Sequence, residues 1–267
     1  MKIIDAHCHI HSPQWVKTID DNDFLIKEFN VKSTEKEILL NMQEANIDKT
    51  IVFPMPSVEV NLEAANLYTL YISKLYPDKF VPFTVIDEKP EKWFNLGIKG
   101  FKEHTFGQRI QKDENGNDIF SQKFKKTYQF MEKYRIPLLL HAGANRIDRI
   151  KNDILKDTPN LIIIMAHLGA DFPISNGHRS VKKQIVMTLK KLKDFSNLYW
   201  DITAIIDNTI INEAIKILGI DKLIFGSDFP YETPSQALER LNKLNLTNED
   251  KEKLLYENIK KIIGNIK

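Results

Sequence analysis

Eight short runs rich in aliphatic and β-branched residues recur along this 267-residue chain, separated by stretches whose apolar residues have helical spacing. Nothing else in the sequence limits the fold as strongly. Parallel neighbours in a sheet cannot be joined by a tight hairpin and need a crossover of a dozen or more residues. Unbroken strand–helix repetition therefore points to a parallel sheet. The runs predict strands at Lys2–Ala6, Lys49–Phe53, Phe80–Ile86, Ile98–His104, Ile136–His141, Leu161–His167, Leu198–Thr203 and Lys222–Asp228. Several are apolar on both faces, as in a sheet covered all round. Eight such units fit a single (β/α)8 TIM barrel spanning residues 1–267, with an extra C-terminal helix in the stretch from Ser235 to Ile263. A doubly wound open sheet is the competing fold, but no glycine-rich phosphate turn follows the first strand.

Composition narrows the function. With 38 basic and 36 acidic residues the net charge is +2, and no basic cluster interleaved with aromatics suggests a nucleic-acid surface. The longest apolar runs, such as Leu161 to Ala166, are too short to span a bilayer. Cys8 is the lone cysteine, which rules out an internal disulfide and suits a reducing compartment. No signal-peptide pattern precedes the first strand. The expectation is a cytoplasmic protein acting on a small molecule, without nucleic-acid or membrane partners.

In parallel barrels the chemistry sits at the C-terminal ends of the strands. Here those ends bring His7 and His9, Lys102 and His104, His141, His167, Asp201 and Asp228. Five of the seven histidines fall at such ends. His7 and His9 are two apart, so in an extended strand they face the same way, roughly 6–7 Å apart. Asp5 shares their parity, while Cys8 and Glu103 should face the surrounding helices. Imidazoles combined with one carboxylate are the ligand set of catalytic zinc, which keeps a position for water. A carboxylate beside the ion, here Asp228, can take that water's proton. A further histidine, here His167, can polarise a carbonyl or donate a proton.

Five segments resemble the metal-dependent amidohydrolase superfamily, in the branch that contains aminocarboxymuconate-semialdehyde decarboxylase. They are Asp5-Ala6-His7-Cys8-His9, Gly100-Phe101-Lys102-Glu103-His104, Leu140-His141-Ala142-Gly143, Ala166-His167-Leu168-Gly169 and Gly226-Ser227-Asp228-Phe229-Pro230. The resemblance implies a TIM barrel binding a divalent metal, most of all Zn2+, through His7, His9, His141 and Asp228, with His167 as acid/base. One ion is favoured. Two relate to a carbamylated Lys102 bridging them, with His167 becoming a ligand; Lys102 as an ammonium meeting a substrate anion is the other reading. A homodimer is consistent with the resemblance.

The remaining candidates divide between rim and support. His104 shares the parity of Lys102 and should line the pocket. Arg146, Arg149 and Arg179 lie near the loops after the fifth and sixth strands, and Arg146 or Arg179 could pair with a substrate carboxylate. Trp15, Phe106, Phe172 and Tyr231 fall on the same rim. Asp5 reads as structural, Cys8 as a buried filler, and Asp201 with Thr203 as lining or as support for a ligand. The expected reaction is hydrolysis of an amide, ester or lactone bond by metal-activated water. Non-oxidative decarboxylation of an unsaturated or aromatic acid is the alternative, and a barrel that binds without turnover is a third, lower-ranked reading.

Overall fold

A computed structural model describes residues 1–12, 33–54, 61–104, 122–170 and 178–266, the side chains of 178–181 aside. Its eight strands are β1 Ile4–Ile10, β2 Lys49–Pro54, β3 Phe80–Val85, β4 Gly100–His104, β5 Leu138–His141, β6 Ile163–Met165, β7 Leu198–Asp201 and β8 Leu223–Ile224. They pair in parallel and in sequence order. Ala6 N donates to Phe225 O at 3.1 Å, and Cys8 bridges Phe229, so β1 meets the chain leaving β8 and the barrel is nearly closed. This is the (β/α)8 TIM barrel expected from the alternation.

The helices are α1 Glu35–Glu44, α2 Leu62–Leu75, α3 Pro90–Asn95, α4 Lys125–Tyr134, α5 Ile147–Arg149, α6 His178–Leu192, α7 Asn208–Leu218, α8 Pro234–Asn242, α9 Asn248–Glu252 and α10 Asn258–Gly264. Thr34 and Glu37 form the capping box their spacing predicts, with Thr34 N donating to Glu37 Oε2 at 2.7 Å. Period-two alternation sorts the strand residues into two apolar layers. Leu139, Ile51, Phe83 and Ile164 fill the barrel, whereas Leu138, Leu140 and Ile163 pack in the cluster that takes in the helices. The C-terminal helix α10 inserts Ile259 and Ile262 into the interior cluster beside Ile4, so it plugs the N-terminal mouth.

Several strands are shorter than the apolar runs predict, β6 and β8 most of all. β6 ends at Met165 and β8 at Ile224, ahead of His167 and Asp228. His167, Leu168 and Asp228 adopt φ values of 53°, 52° and 67°. A left-handed backbone cannot continue a ladder, and for non-glycine residues it is strained. Conversely, β1 runs on through both histidines, because His9 and Ile10 pair with Phe53 and Pro54. The predicted rim residues Trp15, Phe106 and Phe172 lie outside the described residues, as do most of the loops His11–Lys32, Thr105–Asn117 and Leu168–His178. Among the described residues no helix is long and apolar enough to cross a membrane.

Glu103 faces outward as its parity requires, and its Oε2 accepts from Tyr128 Oη of α4 at 2.7 Å. Burial pushes its carboxyl up to about 7, against the pull of Tyr128 and of the Arg146 charge. The folded state therefore keeps this proton longer than the unfolded chain does. Stability from this residue is fullest below about pH 4.5 and is lost as pH rises toward 7. Glu103→Gln retains an acceptor for Tyr128 but cannot ionise. Thermal melts should show the variant gaining on the parent between pH 5 and pH 8; a constant difference across that range would show that Glu103 does not titrate as burial requires.

Candidate active site

His7 and His9 project from β1 at the C-terminal end of the barrel. Their rings, centroids 5.5 Å apart, both stand edge-on to Phe53 at the end of β2, at 5.1 and 4.8 Å. From the far side of the seam comes Asp228, whose backbone N–H donates to His7 O at 2.8 Å. That bond turns the carboxylate inward: Asp228 Oδ1 lies 3.2 Å from His7 Nε2 and 3.2 Å from His9 Nε2. Only a glycine at 226 permits so close a seam, since a Cβ there would stand 2.7 Å from Thr203 Cγ2 and 2.9 Å from His7 Cβ.

Behind this group Asp201, at the end of β7, ties the site together. Its Oδ2 is 2.8 Å from His7 Nδ1, and its Oδ1 accepts from His167 N at 2.7 Å and Thr203 Oγ1 at 2.5 Å. Burial alone would raise the Asp201 carboxyl, but His7 and the hydrogen bonds outweigh it and hold it down at about 2. A carboxylate so ionised can only accept, so His7 donates to it from Nδ1. Burial and Lys102 push His7 down, yet Asp228 and Asp201 prevail and its pKa is raised. Asp228 is driven well below the usual carboxylate range: its own burial opposes this, and its interactions with His7, His167 and His9 overcome it.

His167 stands beside this pair, ring centroid 5.0 Å from that of His7 and Nδ1 3.9 Å from Asp228 Oδ2. Its Nδ1 is also 2.7 Å from Thr203 Oγ1. Because the Thr203 hydroxyl spends its hydrogen on Asp201, His167 must donate from Nδ1, which leaves the lone pair on Nε2. Burial lowers its pKa to about 4 despite Asp228, so the ring is neutral. His9 is likewise pushed down by burial, to about 3.

His141 and His104, paired in register on β5 and β4, continue the row. Their nitrogens are 3.1 Å apart, and the His141 ring lies 4.4 Å from that of His167. Lys102 points into the barrel, wholly buried, with Nζ 5.2 Å from the Phe53 ring centre. Burial lowers its pKa to about 8, although Asp201 and Asp228 pull the other way.

The peripheral candidates separate. Tyr231 reaches the site, its ring 6.0 Å from that of His9. Arg146 is buried in the turn Ala144–Arg146, where its charge acts on outward-facing Glu103. Arg149 pairs with Asp153 at 3.1 Å on its own helical segment. The Arg179 side chain is outside the described residues. Asp5, as its structural reading requires, accepts from His7 N, Ser227 N and Ser227 Oγ at 3.1, 2.9 and 2.6 Å. Sequence reasoning passed over Phe53 and Ser227. Neither stands out in the sequence: Phe53 closes an ordinary short apolar run, and Ser227 is a small polar residue beside Asp228.

Among the described residues, two sets place one ligand atom each within 4.8 Å of one another: His7, His9 and Asp228, and His7, His167 and Asp201. The first set fits a divalent ion. His7 Nε2 and Asp228 Oδ1 are buried and make no hydrogen bond among the described residues, and nitrogen plus carboxylate oxygen is the donor chemistry of such ions. In the second set the His7–Asp201 contact is already a hydrogen bond, so it reads as support for a ligand.

A family profile described as Amidohydrolase matches residues 4–264. Among solved structures, 2,6-dihydroxybenzoate decarboxylase from Rhizobium superposes with a TM-score of 0.76 at 16% identity, over 99% of both chains. The 5-carboxyvanillate decarboxylase from Sphingomonas paucimobilis gives 0.68 at 13%, over 100% of this chain and 99% of that one. A probable 2-pyrone-4,6-dicarboxylic acid hydrolase from Acinetobacter baumannii, with citric acid bound, gives 0.68 at 18%, over 99% and 100%. Likeness at such identities speaks for the barrel alone. The profile covers nearly the whole chain and spans all five segments that form or flank the site, and on that ground the chain belongs to the amidohydrolase family of metal-dependent enzymes.

Proposed function

We propose that this enzyme hydrolyses an amide, ester or lactone bond of a small molecule, with one divalent ion, zinc foremost, held by His7, His9 and Asp228 and completed by His141. The observation that carries the reading is the Asp228 carboxylate, which has one oxygen 3.2 Å from both β1 histidines and the other 3.9 Å from His167. A carboxylate so shared can lie against an ion and still exchange a proton with the reacting groups. When bound, the ion supplies Lewis acidity, polarising a carbonyl oxygen and lowering the pKa of water from about 15.7 toward roughly 7. Asp228, ionised at neutral pH, receives a proton from water and returns it to the leaving group. His167, neutral with its lone pair on Nε2, takes up or gives a proton on the substrate side. Phe53 holds the histidine rings in place, and Tyr231 walls the side next to His9.

Decarboxylation of an unsaturated or aromatic acid is the second reading, and Lys102 favours it. Among the described residues its buried Nζ makes no hydrogen bond, so a substrate carboxylate would meet an ammonium with donors to spare. In that role Lys102 carries no carbamate, in keeping with a single ion.

Metal analysis of the purified protein should find about one equivalent of zinc or a similar divalent ion, and chelation should abolish turnover. On a panel of amides, esters, lactones and aromatic acids, Asp228→Asn should lower kcat by about 10^3-fold or more. Carbon dioxide release from the acids without hydrolysis of the other substrates would transfer the assignment to the second reading. Undiminished turnover in the Asn variant would remove Asp228 from the mechanism.

Asp201→Asn tests the support of the ligand. It keeps the size but no longer fixes the proton on His7 Nδ1. Metal affinity, measured by chelator competition, should fall about 10- to 100-fold. Unchanged affinity would show that the His7 tautomer does not depend on Asp201.

A further inference from the structure

We propose that the N-terminal end of the barrel, opposite the histidines, carries a second binding site, for a small organic anion with an apolar body. A cavity of about 820 Å3 opens there, within the size range of small-molecule sites. It lies between the N-terminal ends of β1, β2 and β3 and the plugging helix α10. Its floor is apolar, from Ile4, Phe80, Val81, Pro82 and Ile263.

Charge points to the kind of occupant. Lys2, Lys49, Lys74, Lys79, Lys99 and Lys260 surround the cavity, against two aspartates, Asp48 and Asp78. The chain as a whole is almost balanced, with 38 basic and 36 acidic residues, so this end holds a local positive excess that attracts anions. Asp48 is already committed, since its Oδ2 accepts from Ile3 N at 2.7 Å. Among the described residues Lys2, Lys49, Lys74, Lys79 and Lys99 have no carboxylate partner, and Lys260 has only Glu257 at 3.7 Å. Lys2 and Lys260 hold their ammonium groups over the Tyr256 ring, 5.9 and 4.9 Å from its centre, on one side of the opening.

An oxyanion would meet the lysines, while an aromatic or alkyl body would cover the floor.

The probe for such a site is 8-anilinonaphthalene-1-sulfonate, an aromatic anion, with uncharged N-phenyl-1-naphthylamine as its control, both titrated by fluorescence against the full chain. The sulfonate should bind more tightly than the amine and lose affinity as salt is raised. Lys99→Glu/Lys260→Glu changes two exposed side chains and should weaken the sulfonate about tenfold or more with no change in melting temperature. His9→Ala, at the opposite mouth, should leave sulfonate binding unaltered. Equal affinity in the parent and the lysine double variant, or loss of binding in His9→Ala alone, would overturn the proposal.

Discussion

The seam where β1 meets the chain leaving β8 is both the closure of the barrel and the origin of its chemistry. Three backbone hydrogen bonds cross it, from Ala6 to Phe225, from Asp228 to His7 and from His9 to Phe229, at 3.1, 2.8 and 2.9 Å. Asp5 adds a side-chain clamp onto Ser227. Two of those backbone bonds involve His7 and His9, and one involves Asp228. The three candidate ligands are thus fixed by the contacts that turn an open sheet into a barrel. A sheet that failed to close would leave β1 as an exposed edge and would carry the histidines away from the carboxylate. In this fold, folding and site assembly are one event.

Burying so many ionisable groups together is costly unless each charge has a partner. Asp201 and Asp228 stay ionised because His7 and His167, and for Asp201 the hydroxyl of Thr203, surround them. His9 and His167 remain neutral because burial wins over the nearby carboxylates. The outcome is a buried pair of anions beside His7, whose pKa they raise, and beside the neutral rings of His9 and His167, with Lys102 nearby. Imidazole nitrogens and carboxylate oxygens gathered in one buried group are the donor chemistry of a divalent cation.

Much of this was legible in the sequence because two periodicities carry it. Alternation of strand and helix gave the parallel barrel, and period two within strands placed His7 beside His9, Lys102 beside His104, and Glu103 outward. Longer-range facts were not legible. Apolar runs through His167 and Asp228 read as strand, since propensity does not register a left-handed residue that hydrogen bonds to Asp201 and to His7 impose. The place of Asp201 at the centre of the site depends on β7 lying next to β8 and near β1, a property of the closed ring and not of any local pattern. Phe53 reads as ordinary strand filler until the ring brings two histidines onto its face. The C-terminal helix was expected, but that it seals the lower mouth follows only from where Ile259 and Ile262 pack.

The strain at His167 and Asp228 is the other side of that arrangement. A positive φ at a non-glycine residue costs about 1–3 kcal/mol and persists only where the surroundings over-determine it. Here the determinants are Asp201 Oδ1, which holds the His167 amide, and the His7 carbonyl, which holds the Asp228 amide. Both belong to residues that also set the His7 tautomer or supply a ligand nitrogen. Had β6 and β8 continued as regular strands, the side chains at 167 and 228 would follow the barrel wall, and Asp228 could not place one oxygen against the β1 histidines and the other toward His167. The backbone departs from regular structure at the two positions where the proposed proton transfers require it, and the groups that enforce the departure are those that orient the candidate ligands.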